Sequence, residues 1–363
     1  MSVVNAKATV NASSDSLPIY ENPQAWYGPA IKQRVDEWVY QWTQEEIAEI
    51  EEALRAVEAR GLEILDIGPQ DFPLPNIAPK LATIKNTILH GQGFMLLRGL
   101  PVEQWTIRQA AIAYWGLGAH MGEPCSQNGK GHVLGHVQNL GLDYNDSLTR
   151  GYQTNARLPY HTDSSDIVAL LCLQRSKSGG LSSIVSSTTI YNEMAKTRPD
   201  LVEILTQPFR RTRWGEVPEG KMPWSEVPIF MPCGGRMIAS YVRSAIEKAQ
   251  RMEGIPKLTA GQIEALDVLD SLTQDPKLYL DMDFQLGDIQ LLCNHTVFHS
   301  RTVFEDWPEM EKRRHLLRLW LACPDGPKLP PEMMINYQGQ TESGRPNGIK
   351  TPGVPFVAPL EAE

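Results

Sequence analysis

Apolar residues in this chain fall mostly into short runs bounded by glycine and proline. Gly93-Phe94-Met95-Leu96-Leu97-Arg98-Gly99-Leu100-Pro101 reads as a strand. Ile167 to Leu173 is a continuous apolar run of strand length, which predicts a strand buried on both faces. Gly179-Gly180 marks a turn into a hydroxyl-rich strand from 181 to 187, followed by a helix to about Leu205. Further strands are expected at 278–284, at 289–293, and at 314–322.

Helical patterning is sparser. Thr43-Gln44-Glu45-Glu46 is a capping box opening an amphipathic helix toward Arg60-Gly61, and a second helix is expected from about 106 to 116. Residues 206–280 read as a helical insertion, with helices near 241–252 and 259–272. Residues 122–160, rich in Gly, Asn and Gln, carry little periodicity and read as a long loop region. There is no repeat, no βαβ alternation and no glycine-rich phosphate loop. The pattern predicts a mainly β fold, a sandwich or jelly roll with helical additions. Residues 1–18 read as a disordered tail, and 19–363 as a single domain.

Composition narrows the partners. With 42% hydrophobic and 21% charged residues the chain has the balance of an ordinary globular protein. A net charge of -9, with no Lys/Arg run, argues against a nucleic-acid surface. Any anionic ligand must then be held by a few placed arginines. No stretch approaches a membrane span or a secretory signal, so the cytoplasm is the expected location. The five cysteines are scattered and never form CxxC, which argues against a zinc ribbon or a disulfide framework. Self-association into a homo-oligomer is compatible with the sequence.

Chemistry concentrates in two places. In Leu158-Pro159-Tyr160-His161-Thr162-Asp163, the imidazole and carboxylate are two residues apart, so an extended backbone turns both to one side. Two histidines and one carboxylate on one face of a metal suit non-haem Fe(II) oxygenases. A second histidine would come from Asn294-His295-Thr296-Val297-Phe298-His299-Ser300-Arg301. His295 and His299 are four apart and would face the same way in a strand, so parity does not choose between them. In the last strand, Arg314, Leu316, Arg318 and Trp320 share one face, and His315, Leu317, Leu319 and Leu321 the other. Enclosed guanidinium groups need anions, and arginine's planar fork grips a carboxylate in two places. The bland alternative pairs these arginines with Glu305, Asp306, Glu309 or Glu311. His132, His136 and His315 read as satisfied core histidines.

Taken in order, His161-Thr162-Asp163, Gly179-Gly180-Leu181-Ser182, Asn294-x-x-x-x-His299-Ser300-Arg301 and Arg313-Arg314-x-x-x-Arg318 resemble the taurine dioxygenase and clavaminate-synthase-like family. The resemblance runs from about Tyr152 to Cys323, with a faint extension over 93–101. It implies a double-stranded β-helix and an oxygenase using Fe(II), 2-oxoglutarate and O2. The iron ligands implied are His161, Asp163 and His299, the last because it follows Asn294 by five. Arg314 would grip the far carboxylate of 2-oxoglutarate, and Arg318 would face an anionic group of the substrate close to the co-substrate. Ser182 stands where the family commonly has Thr as a co-substrate contact, and the adjacent Ser183 leaves the register open. Because related halogenases lack the carboxylate that Asp163 supplies, hydroxylation, desaturation or oxidative cyclisation is implied instead.

The expected substrate is a small molecule bearing a carboxylate or other anion, with an amino acid as first choice. The overall look is similar to fungal members serving secondary metabolism. Gln127 and Asn128 of the loop region, the insertion, and the tail around Val354 and Phe356 are the expected substrate-shaping residues. Two other classes fit parts of the pattern: a cupin-type hydrolase or isomerase using Zn(II) or Mn(II) without 2-oxoglutarate, and a non-catalytic binding module with core histidines.

Overall fold

A computed structural model describes residues 17–144, 149–217, 220–334 and 339–362. Two sheets face each other. The larger runs Val39–Gln41, Phe94–Arg98, Ile289–Cys293, Ile167–Gln174, His315–Ala322 and Glu123–Pro124, with Leu134–Gln138 also pairing on His315–Ala322. The smaller runs Leu280–Met282, Ser182–Ser186, Val297–Arg301 and Leu158–His161. Apart from the parallel first pair of the larger sheet, the ladders are antiparallel.

Side-chain alternation builds the layers. Phe94, Leu96, Val168, Ile184, Leu292, Val297, Leu316 and Trp320 fill the space between the sheets. On the other face of the larger sheet, Leu97, Ala169, Leu171, Leu291, Leu317, Leu319 and Leu321 pack on the helices Gln44–Arg60, Ala78–His90 and Ile107–Ala119. Behind the smaller sheet, Tyr160, Val185 and Phe298 pack on helices including Ser187–Thr197, Pro199–Leu205 and Ala260–Thr273. The parity read from the last strand holds: its Leu face meets the helices and its Arg/Trp face looks between the sheets.

Local signals that rest on hydrogen bonding were legible. Thr43 accepts from Glu46 N–H at 3.3 Å and Glu46 accepts from Thr43 N–H at 2.9 Å. Gly61 ends that helix at φ 65, a left-handed conformation natural to glycine. The same reciprocal pair opens the helices after Thr106 and Thr259.

Several expectations need correction. The expected loop region of 122–160 contains strand Leu134–Gln138, whose glycine and polar residues mask its alternation. The insertion is not purely helical. It begins with two hairpins, Phe209–Thr212 with Trp224–Val227 and Phe230–Cys233 with Arg236–Ala239, before helices Arg243–Ala249 and Ala260–Thr273. Of the expected disordered tail, residues 1–16 lie outside the described residues. Leu17 packs against the core cluster that contains Tyr20 and Tyr191. The helix expected to run to Leu205 is broken at Arg198-Pro199, since proline cannot continue the ladder.

Candidate active site

His161 ends one strand of the smaller sheet, and His299 stands opposite it in the neighbouring strand. Asp163 follows His161 in the turn toward the larger sheet. Its position is set by its own N–H donating to Asn294 Oδ1 at 3.0 Å. The intervening Thr162 turns away and bonds to the backbone of Tyr241, accepting from its N–H at 3.0 Å. This places three ligand atoms, one from each of His161, Asp163 and His299, within 4.8 Å of one another. His161 Nε2 lies 4.0 Å from one Asp163 oxygen and His299 Nε2 lies 3.8 Å from the other. Nδ1 of His161 donates to the Pro159 carbonyl at 2.8 Å, which leaves a lone pair on Nε2 facing the group.

The local electrostatics favour a charged Asp163 carboxylate beside a neutral His299 imidazole. Burial alone would raise the Asp163 pKa. The Arg318 guanidinium, the two imidazoles and the Trp320 N–H outweigh it and hold the carboxyl below its ordinary range. His299 is pushed down to about 3, first by burial and then by the facing His161. A neutral imidazole with an available lone pair is the form that binds metal.

The choice between His295 and His299, open on parity, is resolved by the turn at 294–296. His295 is not in the strand. It is fully buried, with Nε2 2.7 Å from Asp166 Oδ1, away from the His161/Asp163 pair.

Both arginines of the last strand are buried, Arg314 at 5% and Arg318 at 8% exposure. In the acidic segment Asp306 opposes the effect of burial on Arg314 by its charge, without forming an ion pair. Glu305 pairs with Lys177, Glu309 with Lys312, and Asp306 accepts from the Arg314 backbone N–H at 2.8 Å. Arg314 Nη1 has no partner, and burial pushes the guanidinium down to about 10. Arg318 Nε donates to Gln127 Oε1 at 2.7 Å, its Nη1 lies 3.7 Å from Asp163, and its Cζ is 4.6 Å from the Tyr152 ring centre. Ser182 points inward and donates to Gln290 at 3.0 Å, whereas the Ser183 hydroxyl goes to Asp281.

A cavity of about 350 Å³ opens beside the three ligands. Its walls come from 149–164, the insertion, and Gly348-Ile349 of the tail. Gln127 lines it. Asn128 and Phe356 do not. The Asn128 side chain shapes its own turn, accepting from Lys130 N–H at 3.0 Å, and Phe356 packs on the helical core. The insertion contributes to the wall as expected, through residues that sequence reasoning did not single out: Arg213, Trp214, Lys248 and Arg251 all line this space. Trp214 adopts φ 57, an uncommon conformation for a bulky residue, with Lys248 Nζ 4.3 Å from its ring centre. Its tryptophan-glycine step was the available signal.

Fold and site define a double-stranded β-helix oxygenase. The chain belongs to the family described as taurine catabolism dioxygenase TauD, TfdA family, which matches residues 58–320. It is an Fe(II)- and 2-oxoglutarate-dependent dioxygenase, and the hydrolase, isomerase and binding-module readings give way. Among relatives, it is 29% identical over 314 residues to FR-33289 synthase of Streptomyces rubellomurinus, covering 85% of this chain and 92% of that one. It is 31% identical over 306 residues to taurine hydroxylase-like protein SAT17 of Stachybotrys chartarum, covering 81% and 77%. Among solved structures, asparagine oxygenase with Fe(II), 3-hydroxyasparagine and succinate superposes with TM-score 0.61 at 15% identity, covering 78% of this chain and 93% of that one. The oxygenase OrfP with iron and alpha-ketoglutaric acid gives 0.58 at 16%, covering 78% and 94%. Among the described residues no helix is long and apolar enough to cross a membrane.

Proposed function

We propose that His161, Asp163 and His299 hold the iron, that Arg314 and Ser182 receive the far carboxylate of 2-oxoglutarate, and that Arg318 faces an anionic group of a small substrate in the adjoining cavity. One observation carries this reading. Two imidazoles and a carboxylate bring three ligand atoms within 4.8 Å of one another, beside two buried guanidiniums, of which Arg318 meets only Asp163, at 3.7 Å, and Arg314 keeps an Nη1 without a partner.

The bound iron, with 2-oxoglutarate and O2, supplies the oxidising power for attack on an unactivated C–H, with release of succinate and CO2. The chain's own residues place the partners. The Pro159 carbonyl fixes the His161 ring and Trp320 N–H, 2.9 Å from Asp163 Oδ2, fixes the carboxylate. Gln127 aims Arg318, and its own Nε2 is anchored on the carbonyls of Val133 and Arg318 at 3.1 and 2.9 Å. Holding one C–H at reaction distance is the largest contribution a scaffold of this kind makes.

The substrate is read as an amino acid or other small anion. Arg318, Arg213, Lys248 and Arg251 give the cavity a cationic lining in a chain of net charge -9. The solved relatives carry hydroxyasparagine and hydroxyarginine, which supports the amino-acid class. The relationship to FR-33289 synthase supports a role in secondary metabolism. Five free cysteines, four of them buried, suit the cytoplasm.

The test is anaerobic addition of Fe(II) and 2-oxoglutarate, followed by oxygen. A weak visible charge-transfer band, then succinate, is expected, and wild-type protein without a band would remove the reading's support. Arg318→Leu should keep slow uncoupled succinate release but lose stimulation by candidate amino acids. Intact stimulation would refute the anion-binding role.

A further inference from the structure

The pocket around Arg314 contains a second cation to which no expectation attaches. Arg301 follows His299 by two on the same strand, so both side chains turn toward the space between the sheets. Arg301 is 4% exposed. Its Cζ lies 4.7 Å from the Phe304 ring centre, and that of Arg314 lies 5.3 Å from the same ring. Nη2 of Arg301 donates to the carbonyls of Thr154, at 2.9 Å, and Ala156. Its Nε and Nη1 have no partner, as Nη1 of Arg314 has none.

Among the described residues no carboxylate comes within ion-pair range of either guanidinium. Two enclosed cations side by side are tolerated when an anion sits between them. Besides the Phe304 ring, small residues adjoin the two guanidiniums. Ser182 pairs with Arg301 across the ladder. Gly180, at φ +72, leaves room for Arg314, whose Nε would lie 3.1 Å from an added Cβ.

We propose that Arg301 is a second carboxylate-binding residue of the co-substrate pocket, sharing the far carboxylate of 2-oxoglutarate with Arg314. The proposal rests on the reading that Arg314 receives that carboxylate. Two oxygens with about four lone-pair sites accommodate the unspent N–H groups of both arginines. Through Nη2 the same guanidinium holds the chain at 154–156, next to Tyr152, which stacks on Arg318. Arg301 thereby joins the co-substrate to one wall of the substrate cavity.

The experiment is an anaerobic titration of the Fe(II)-loaded full chain, following the charge-transfer band. The two titrants are 2-oxoglutarate and 2-oxovalerate, which carries a methyl group where the far carboxylate would be. Loss of charge-assisted hydrogen bonds predicts that Arg301→Gln weakens 2-oxoglutarate by about 10- to 100-fold. The affinity for 2-oxovalerate should stay within about threefold, since the chelating end is untouched. Equal weakening of both titrants would show a merely structural arginine, and unchanged 2-oxoglutarate affinity would show no contact; either overturns the proposal. If Arg301→Gln fails to fold, Arg301→Lys is titrated instead. A selective loss of 2-oxoglutarate affinity of a few fold is then expected, and an equal or absent loss overturns the proposal. A wild-type protein without any band would sink the oxygenase site itself, an outcome distinct from both.

Discussion

Two histidine–aspartate groups lie a few residues apart along the same stretches of chain, and their environments differ sharply. Asp166 meets His295 at 2.7 Å, both side chains fully buried. It also accepts two bonds from Arg345 and one from the Cys323 N–H at 2.8 Å. Asp163 sits 3.8–4.0 Å from His299 and His161, at distances too long for hydrogen bonds, on the wall of a cavity. In the first group both carboxylate oxygens are consumed internally, by His295, Arg345 and the Cys323 N–H. Burial opposes ionisation of Asp166, but His295 and Arg345 hold it charged, so the group fastens the tail to the body. In the second, three lone pairs converge with nothing between them. What separates a structural His–Asp pair from a metal-binding one here is whether its hydrogen-bonding capacity is already used.

The largest effect that would break this contrast is on catalysis. Asp163→Ala should reduce succinate release to background while the melting temperature stays near wild type; substantial turnover would show that Asp163 is not a ligand. Asp166→Ala should do the reverse. Removing one partner of a buried charged network typically costs about 3–5 kcal/mol of stability, so denaturant unfolding should reveal a loss of that order, with turnover per folded molecule preserved.

A third pair sharpens the picture through pH. His136 Nδ1 meets His315 Nε2 at 2.8 Å, and the other His136 nitrogen donates to the Pro359 carbonyl at 2.8 Å. Burial, and then His136, lowers His315 to about 4. The unfolded chain therefore takes up this proton first as pH falls. Stability from the neutral pair should be complete above about pH 6.5 and lost progressively toward pH 4, by an amount on the order of 3 kcal/mol. Urea unfolding of wild type against His315→Leu across that range isolates the contribution; parallel curves would contradict it.

The smallest effect concerns aim. A Cβ on Gly135 would fall 2.3 Å from Gln127 Oε1, the acceptor that orients Arg318. Gly135→Ala should raise substrate KM several-fold, about 1 kcal/mol, and leave 2-oxoglutarate affinity unchanged. An unaltered KM would mean that Gln127 does not set Arg318.

The legible parts of this protein were those with local causes. The period-2 arrangement put His161 with Asp163 and separated the arginine face of 314–320 from its leucine face. The capping boxes at Thr43 and Thr259 announced their helices. What escaped depended on tertiary partners. Leu134–Gln138 becomes a strand because His315–Ala322 offers it an edge, and the four-residue strands of the 209–239 hairpins are too short to show a period. His295 leaves the site because a turn intervenes before Val297, which parity presumes absent. Arg301 looked like the end of a motif until its buried, partnerless nitrogens were seen. The tail around Val354 and Phe356 was expected to shape the cavity, yet Gly348 and Ile349 of the same tail provide its wall.

Iron stoichiometry after anaerobic reconstitution of His299→Ala and His295→Ala, measured side by side on folded protein, addresses the central contrast most directly. The open group predicts close to one iron per chain in His295→Ala and essentially none in His299→Ala. Full iron occupancy in His299→Ala, or its loss in folded His295→Ala, would contradict the assignment.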